Sequence, residues 1–483
     1  MSIISRTFKK RPRDGFSKSR GRVATPRLEM LETRALLSTY TVTSTSSDQN
    51  LAGSLPYAVF QANHVSRGLD YINFNIPGAG VHPIVLNAQL FLSDQVVIDG
   101  NSQRGNNGQP LIYIQGAVGN GLPPLPNLFT LTSNPQNPAG ATTSSGSTIQ
   151  GLGMYSFSQN AVSISSTSTG NYVQDNWIGF YSDGLSRPFL TSEGFPSADG
   201  VVLESSFNVI RGNTISGVEN GINIGSAITT TFSTDYETNS IQGNNIGTDP
   251  TGSTTAGYGT LLDGIFLGVG ARRNYLGPDN VISGFRSVGI ELFHPTVLGN
   301  VIYRNQIGTN RSGTATIGNG QLGIRVANGA NGNAVGATAL GGNLVSGNAQ
   351  GGIVLGTALD SVGSSNWVQS NIVGLNASQT GIIGNQDFGL TIAFGSRNVI
   401  EGNALAGHRF HGLYMTNTES NYVSGNWVGR GAVNDVGYAN GGYGVYLGSG
   451  ASFNFLYSTL YGNDRLGRRY VDPGAVGNDI RGS

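Results

Sequence analysis

The sequence predicts an all-β protein built as a solenoid, in which similar coils stack and each adds short strands to long sheets. The first observation is a repeated phrase, Asn-x-aliphatic-x-x-Asn-x-aliphatic, as in residues 208–215 and 398–405. The second is a Gly-aliphatic-x-aliphatic phrase that follows it, as in residues 221–224 and 289–292. The third is that both recur at intervals of roughly 20 to 45 residues, the length of one solenoid coil.

The composition agrees with a secreted, elongated β protein. The chain has 483 residues, of which 74 are Gly and only 11% are charged, as suits a stack of tight turns. It has no Cys, which excludes disulfides and thiolate metal sites. The 27 basic and 27 acidic side chains form no basic cluster on the body, so we expect no nucleic-acid partner. No stretch approaches the roughly 20 apolar residues of a transmembrane helix.

Residues 1–38 differ from the rest because they are basic and poor in acids. Their cationic side chains include Lys9, Lys10, Arg11, Arg13, Lys18, Arg20, Arg22 and Arg27. The segment ends in Leu31-Glu-Thr-Arg-Ala-Leu-Leu-Ser38, which resembles the Leu-Glu-Pro-Arg-x-Leu-Leu segment near the start of large planctomycete extracellular proteins. Thr33 stands where that segment has Pro. The resemblance implies an export or sorting segment and an extracellular or cell-surface location; the alternative is a disordered basic tail.

The next segment, residues 39–150, predicts an N-terminal cap and the first coils. Its one convincing helix begins after Ser54, which can cap it, and has Pro56 in its first turn. One helix face carries the apolar residues Leu55, Ala58, Val59 and Ala62. Because the open end of a solenoid exposes unpaired backbone, we expect this helix to cover it.

Residues 151–465 predict the repeat coils, and residues 466–483 a C-terminal tail. The sequence intervals between successive glycines of the second phrase are alternately short and long, so the repeating unit is a pair of coils. The pairs bounded by Gly200, Gly264, Gly323, Gly389 and Gly444 contain 64, 59, 66 and 55 residues. The additional residues enter at one corner, in residues 248–252, 309–313, 375–378 and 430–435. We expect these loops to form a wall beside a flat strand face, and thus a groove.

Alternation within each coil assigns the aliphatic residues of Gly-aliphatic-x-aliphatic to the core and x to the outside. The repeated Asn residues are interpreted as structural corner residues, since Asn tolerates the left-handed conformation and its amide can bond the next coil. Replacing an interior one, such as Asn403 by Ala, should cost about 1–3 kcal/mol.

The pattern over residues 39–465 resembles the single-stranded right-handed parallel β-helix proteins. The start, Tyr40-Thr-Val-Thr with residues 52–63, 74–77 and 97–100, is similar to that of bacterial surface β-helix proteins, and the turn at residues 246–252 fits the same group. Many members of this fold family bind or cleave polysaccharides, pectate lyases and polygalacturonases among them. The resemblance therefore implies contact with a polysaccharide or cell-surface glycan.

The outward x positions of the second phrase are the candidate binding residues. They are Asn223, Phe266, Glu291, Arg325, Val354, Thr391, Tyr414 and Tyr446. Aromatic faces can stack on sugar rings and amides can bond hydroxyls, so Asn223, Phe266, Tyr414 and Tyr446 are the predicted substrate-binding residues. The alternative is that exposed aromatic residues are simply favoured in strands.

Candidate catalytic residues are few. Glu291 and Arg325 lie one coil apart on the same stripe, and the alternative to a catalytic role is a surface ion pair. Asp199, Asp263 and Asp387 precede or lie near the Gly of long coils, where a carboxylate row would suit Ca²⁺, although Asp before Gly is also an ordinary turn choice. We expect no other cofactor.

Two functions are open from the sequence. The first is an extracellular or cell-surface β-helix that binds polysaccharide or has a structural role. The second is a polysaccharide lyase or glycoside hydrolase acting on the same face, which would need a base beside a charge-neutralising cation, or two suitably spaced carboxylates.

Overall fold

The computed structural model describes most of the chain from residue 37 onward. The described residues are 37–64, 68–117, 125–133, 142–183, 185, 198–225, 235–256, 262–356, 364–433, 436–460, 463 and 467–481. All of them belong to one unit, Leu36–Ser483. Apart from its last two residues, the predicted export segment lies outside the described residues.

The predicted helix is confirmed as Leu55–His64, the one α-helix of the described residues. The Ser54 hydroxyl accepts a hydrogen bond from the backbone N–H of Tyr57 at 3.1 Å, as an N-cap should. The buried residues are the four predicted from the apolar face. The helix packs on the strands Thr39–Val42, Asp70–Phe74 and Leu90–Leu92, all in the first coils. A short 3-10 turn, Gly100–Ser102, follows later.

The strands of the second phrase form one sheet, here called sheet 1, with one strand from each coil. Its 13 described strands are Leu90–Leu92, Asn127–Leu131, Asn160–Ile164, Asp199–Leu203, Ile222–Ile224, Ile265–Leu267, Ile290–Phe293, Ile324–Ala327, Ile353–Leu355, Leu390–Ala393, Leu413–Thr416, Val445–Leu447 and Arg469–Val471.

The strands of the first phrase form two rows within a second sheet. Row 1 contains Thr39–Val42, Asp70–Phe74, Val96–Asp99, Thr148–Gln150, Tyr172–Gln174, Val209–Arg211, Ser240–Gln242, Tyr275–Leu276, Val301–Ile302, Ala334–Val335, Trp367–Gln369, Val399–Glu401, Tyr422–Val428, Phe455–Leu460 and Asp479–Arg481. Row 2 contains His82–Leu86, Ile112–Gly116, Leu152–Tyr155, Trp177–Ile178, Thr214–Ile215, Asn245–Ile246, Val281–Ile282, Gln306–Ile307, Leu344–Val345, Ile372–Val373 and Ala404–Leu405, and then shares Tyr422–Val428 and Phe455–Leu460 with row 1. A separate parallel pair joins Tyr236–Glu237 to Ala271–Arg272.

These pairings are parallel and join each coil to the next, so the fold is the predicted parallel β-helix. Crossovers between parallel strands of one sheet are right-handed, which sets the hand of the coil. The inward residues of sheet 1 form ladders with no exposed surface, such as Ile222, Ile265, Ile290 and Ile324. One continuous apolar core therefore runs along the coils.

The repeated Asn residues are structural, as predicted, and form buried ladders. In the first ladder each side-chain amide donates to the side-chain oxygen of the next Asn, through Asn171, Asn208, Asn239, Asn274, Asn300, Asn333, Asn366, Asn398, Asn421, Asn454 and Asn478. The second runs through Asn176, Asn213, Asn244, Asn280, Asn305, Asn343, Asn371, Asn403 and Asn426.

The prediction that the repeated Asn residues adopt the left-handed backbone conformation is wrong. In the first ladder this conformation belongs to the residue before each Asn, and this column comprises Gly170, Phe207, Thr238, Arg273, Gly299, Gly332, Ser365, Arg397, Ser420, Phe453 and Gly477. The Asn itself points its amide inward, where it bonds the next coil. The chain therefore turns at an exposed position, and the buried Asn secures the turn.

A third, shorter ladder contains one exception. It runs through Asn319, Asn348 and Asn385 and resumes at Asn440 and Asn463, with His408 between the two parts. The backbone N–H of His408 still donates to the Asn440 side chain at 3.1 Å. Among the described residues, neither ring nitrogen of His408 makes a hydrogen bond of ordinary geometry. A buried imidazole thus replaces one Asn of the ladder.

The corner loops lie elsewhere than predicted. Each described loop closes with an antiparallel bridge, as between Thr248 and Thr255. The loops bond to each other, since the Arg311 N–H donates to the Gly252 carbonyl at 2.8 Å. They also cover the outside of row 2, where the Asn245 amide donates to the Pro250 carbonyl at 2.7 Å and only 7% of Asn245 is exposed. The described loops therefore form a second layer over row 2 and do not wall sheet 1.

The coils also continue beyond the predicted boundary at residue 465. Arg469–Val471 pairs with the sheet 1 strand Val445–Leu447, and Asp479–Arg481 pairs with the row 1 strand Phe455–Leu460. The side chain of Asn478 extends the first Asn ladder. The segment taken as a tail is thus another coil, because it retains the ladder Asn and the alternating strand pattern.

Candidate functional site

The predicted outward stripe is one continuous column on sheet 1. Strand register places its residues side by side in the order Val202, Asn223, Phe266, Glu291, Arg325, Val354, Thr391, Tyr414, Tyr446 and Tyr470. We call this the sheet 1 column. All four predicted binding residues and both predicted catalytic residues belong to it, separated by whole coils of about 4.8 Å each.

The face beside the N-terminal part of this column is polar and acidic. The Asp199 carboxylate accepts hydrogen bonds from the side-chain amides of Asn220 at 2.8 Å and Asn223 at 2.9 Å. Asp263 lies two coils from Asp199 and accepts the Val288 N–H at 2.9 Å. Burial raises the pKa of Asp199, and the nearby Asp263 charge raises it further, against the opposing effect of the amide bonds. Asp199 therefore holds a proton more readily than an ordinary aspartate.

The three aspartates predicted for Ca²⁺ do not come together. Asp387 belongs to a coil four beyond that of Asp263, which at about 4.8 Å per coil is far outside the reach of one cation. Within the described ranges, no group of three or more His, Asp or Glu side chains is arranged to hold a metal ion. The chain geometry thus pairs Asp199 with Asp263 and separates Asp387 from both.

The centre of the column is an ion pair. Arg325 donates to the Glu291 carboxylate at 2.9 Å, and their side chains are 24% and 10% exposed. The Arg325 guanidinium also lies 5.3 Å from the centre of the Phe293 ring. Phe266 is the column neighbour of Glu291 on the other side. This pair is better shielded than the surface pair expected from the sequence, so its removal should affect both charge and packing.

The C-terminal part is a stack of rings. Phe388 and Tyr414 have centroids 4.9 Å apart and an interplanar angle of 15°, and His411 and Tyr446 are at 4.7 Å and 19°. Tyr446 and Tyr470 are at 4.8 Å and 26°. Rings this close and this parallel overlap in offset stacks. Their faces are thus largely covered by one another, and a ligand would meet ring edges and hydroxyls.

His411 lies in the middle of this stack. Its Nδ1 accepts a hydrogen bond from the Tyr443 N–H at 2.8 Å, which leaves the ring proton on Nε2. Burial among the rings lowers the pKa of His411, so the imidazole is neutral at pH 7. It therefore offers one N–H donor among tyrosine hydroxyls.

Phe388, His411, Tyr443 and Tyr470 were missed from the sequence. The first three precede the Gly of the second phrase, and the N–H of each such Gly bonds the equivalent residue of the next coil. They therefore form a second outward column beside the first. The signal is the aromatic-Gly pair of three successive coils, which lies one residue outside the phrase whose x position defined the predicted stripe.

No family model matches the chain, and no curated protein matches it significantly in sequence. Solved structures similar to it include the A-module of mannuronan C-5 epimerase AlgE4 from Azotobacter vinelandii, at 13% identity and TM-score 0.44, covering 92% of this chain and 100% of that one. Another is tailspike protein 3 of bacteriophage CBA120, at 12%, TM-score 0.44, and coverage of 92% and 61%. The periplasmic alginate epimerase AlgG matches at 12%, TM-score 0.34, and coverage of 92% and 84%. Likenesses this distant assign no function to this chain.

The strands and the sheet 1 column define a parallel β-helix protein with a face that changes from acidic to aromatic along its length. None of its described helices is long and apolar enough to cross a membrane.

Proposed function

We propose that the protein is an extracellular or cell-surface β-helix that binds an extended polysaccharide along the outward face of sheet 1, without cleaving it. The observation that supports this is the sheet 1 column itself. Amides, an ion pair and tyrosines follow one another at whole-coil steps, so a linear polymer along the axis would meet contacts at regular distances. Amide, guanidinium and phenol groups can all bond sugar hydroxyls.

In the aromatic part the hydroxyls, rather than the ring faces, are the proposed contacts. Partial burial and the neighbouring Tyr470 raise the pKa of Tyr446, so its hydroxyl remains a protonated donor at neutral pH. Tyr446→Phe keeps the ring and its stacking and removes only this donor. The variant should therefore bind several-fold more weakly if the hydroxyl contacts the ligand.

The test is a screen of the full chain against neutral and acidic polysaccharides, with and without Ca²⁺. Binding is measured by affinity electrophoresis, and cleavage by new reducing ends and by the absorbance of unsaturated sugars. Tyr57→Phe is the matched control, because Tyr57 lies on the helix Leu55–His64, outside both sheet 1 and row 1. Binding that Tyr446→Phe and Tyr414→Phe weaken, without products, supports the proposal. Binding of no polymer, or binding that both variants leave intact, contradicts it.

A glycoside hydrolase is the second candidate, favoured by the Asp199–Asp263 pair. Two coils separate them by about 10 Å, close to the upper end of the separation in inverting hydrolases. Burial raises the pKa of Asp199, as a general acid requires. New reducing ends that disappear in Asp199→Asn would establish this activity. Unsaturated products that disappear in Arg325→Ala would instead indicate a lyase at the Glu291–Arg325 pair.

A further inference from the structure

Row 1 carries an outward column in which aromatic rings recur at whole-coil intervals. The register places side by side Tyr172, Val209, Ser240, Tyr275, Val301, Ala334, Trp367, Val399, Tyr422 and Phe455. We call this the row 1 column. Tyr172, Tyr275 and Trp367 are each three coils apart, about 14 Å at ~4.8 Å per coil. They are 39%, 42% and 40% exposed, and Tyr422, two coils further on, is 44% exposed.

Two rings of this column, those of Tyr275 and Trp367, differ from the stacked rings of sheet 1, whereas Tyr422 and Phe455 stack on each other with centroids 5.1 Å apart. The column neighbours of Tyr275 are Ser240 and Val301, and those of Trp367 are Ala334 and Val399. In the described part of the chain, neither Tyr275 nor Trp367 stacks on another ring. Their faces are therefore open to a ligand, whereas the faces of the sheet 1 tyrosines are covered by one another.

The surroundings of the column are polar but the column itself is uncharged from Tyr172 to Phe455. Two residues further along the strands, the same face carries Gln174, Arg211, Gln242, Gln369 and Glu401. These side chains are linked, as where Arg211 donates to Gln174 at 2.8 Å and Gln369 to Glu401 at 3.1 Å. Open rings beside amides are the two types of contact that a sugar needs, one for its apolar face and one for its hydroxyls.

We propose that the row 1 column is a second polysaccharide-binding surface, for an extended neutral polymer that lies along the coils. The absence of charge in the column matches an uncharged ligand. The rings and the aliphatic residues between them form a stripe only one residue wide, flanked by amide and charged side chains, whereas the apolar core of a protein interface is broader. A coil adds nearly the same length as one pyranose residue in an extended chain, so rings three coils apart would contact every third sugar. This surface is independent of the sheet 1 site.

The experiment measures co-sedimentation of the full chain with cellulose, xylan and chitin particles, and the tryptophan emission with the matching soluble hexasaccharides. The chain has three Trp, and Trp367 is the one in this column. We expect a blue shift on binding that is lost in Trp367→Ala. Tyr275→Ala and Trp367→Ala should each weaken binding about three- to tenfold. Phe394→Ala is the matched control, since Phe394 is 42% exposed and lies outside the column.

Three results would overturn the proposal. The first is binding that Tyr275→Ala and Trp367→Ala both leave unchanged. The second is binding that only Tyr446→Phe weakens, which would place the polymer on sheet 1 alone and leave the proposed function standing. The third is no binding of any neutral polymer together with self-association that Trp367→Ala abolishes, which would make this face a contact between copies of the chain.

Discussion

His408 makes the protein sensitive to acid at one identifiable position, and His408→Asn should remove that sensitivity. The side chain is 2% exposed and occupies a position that Asn holds in the neighbouring coils. Burial lowers the pKa of His408 from 6.5 to about 3, and the Val373 backbone offsets this only in part. Charging this imidazole inside the folded coil is therefore strongly unfavourable.

The magnitude follows from the two pKa values. Because the pKa in the folded state lies below that of the unfolded chain, the unfolded chain binds a proton first as the pH falls. The free energy of unfolding then decreases by about 1.4 kcal/mol for each pH unit between 6.5 and 3. At pH 4.5 the loss due to His408 is roughly 3 kcal/mol, and above pH 6.5 it vanishes. Other groups titrate in the same range, so the difference between wild type and variant is the informative quantity.

The assay is urea unfolding of both chains at pH 7.5 and 4.5, with hydrogen exchange of the coils around residue 408 as a local probe. At pH 7.5 the variant regains ladder bonds but has a smaller side chain, so we expect the two chains to agree within about 1 kcal/mol. At pH 4.5 the variant should be more stable by roughly 3 kcal/mol. His64→Asn, on the exposed end of the helix, is the control. A stability difference that does not change with pH would refute the reasoning.

Three further changes test the scaffold and the ion pair. Asn403→Ala should lower the free energy of unfolding by at least about 2 kcal/mol, because the buried Asn371 N–H and a buried carbonyl lose their partner; urea unfolding measures this. Thr238→Gly should raise the melting temperature through about 1 kcal/mol of added stability, because φ is 59° at this exposed residue. Arg325→Ala should cost about 1–3 kcal/mol by leaving the Glu291 carboxylate without its cation, whereas Glu291→Gln combined with Arg325→Met should be nearly neutral in the same unfolding assay.

Each of these changes has a control elsewhere in the chain. Asn107→Ala removes an exposed Asn outside the ladders and should have little effect. Thr130→Gly, inside a strand, should destabilise where Thr238→Gly stabilises. If Asn403→Ala resembles Asn107→Ala, the ladder is not a stabilising element. If Thr238→Gly also destabilises, the relief of strain at the corner is smaller than the entropy that Gly loses on folding. If the double substitution at Glu291 and Arg325 costs as much as Arg325→Ala, packing rather than charge explains the loss.

The sequence predicted the repetitive part of the fold well, because equivalent positions recur in every coil and each recurrence supports the assignment of the others. One Gly-Ile-x-Ile phrase is ambiguous, but its recurrence fixed the inside, the outside and the order of the sheet 1 column. The helix was equally readable, since Ser54 and the apolar face of residues 55–62 are local signals. These features depend on backbone periodicity alone.

Features that depend on direction in space were harder to predict. The position of the loops at residues 248–256 and 309–317 in the sequence followed from the spacing of the repeated glycines. Their folding over row 2, however, depends on long-range contacts such as that of Arg311 with Asn245, which are 66 residues apart. Whether the tyrosine rings cover one another's faces depends on side-chain torsion angles, which the sequence pattern does not specify. The same limit explains why His411 was not recognised from the sequence as part of the ring stack.

The loop layer over row 2 has a consequence for the mechanical unfolding of the molecule. Its loops come from every second coil and bond directly to one another, as in the Ala377 N–H to Gly313 carbonyl bond of 3.0 Å. Pulling a single coil away would break a loop contact shared by its neighbours, so coils should detach in pairs. The extension steps in a single-molecule stretching record should then correspond to about 60 residues, roughly 200 Å of chain, rather than half that length.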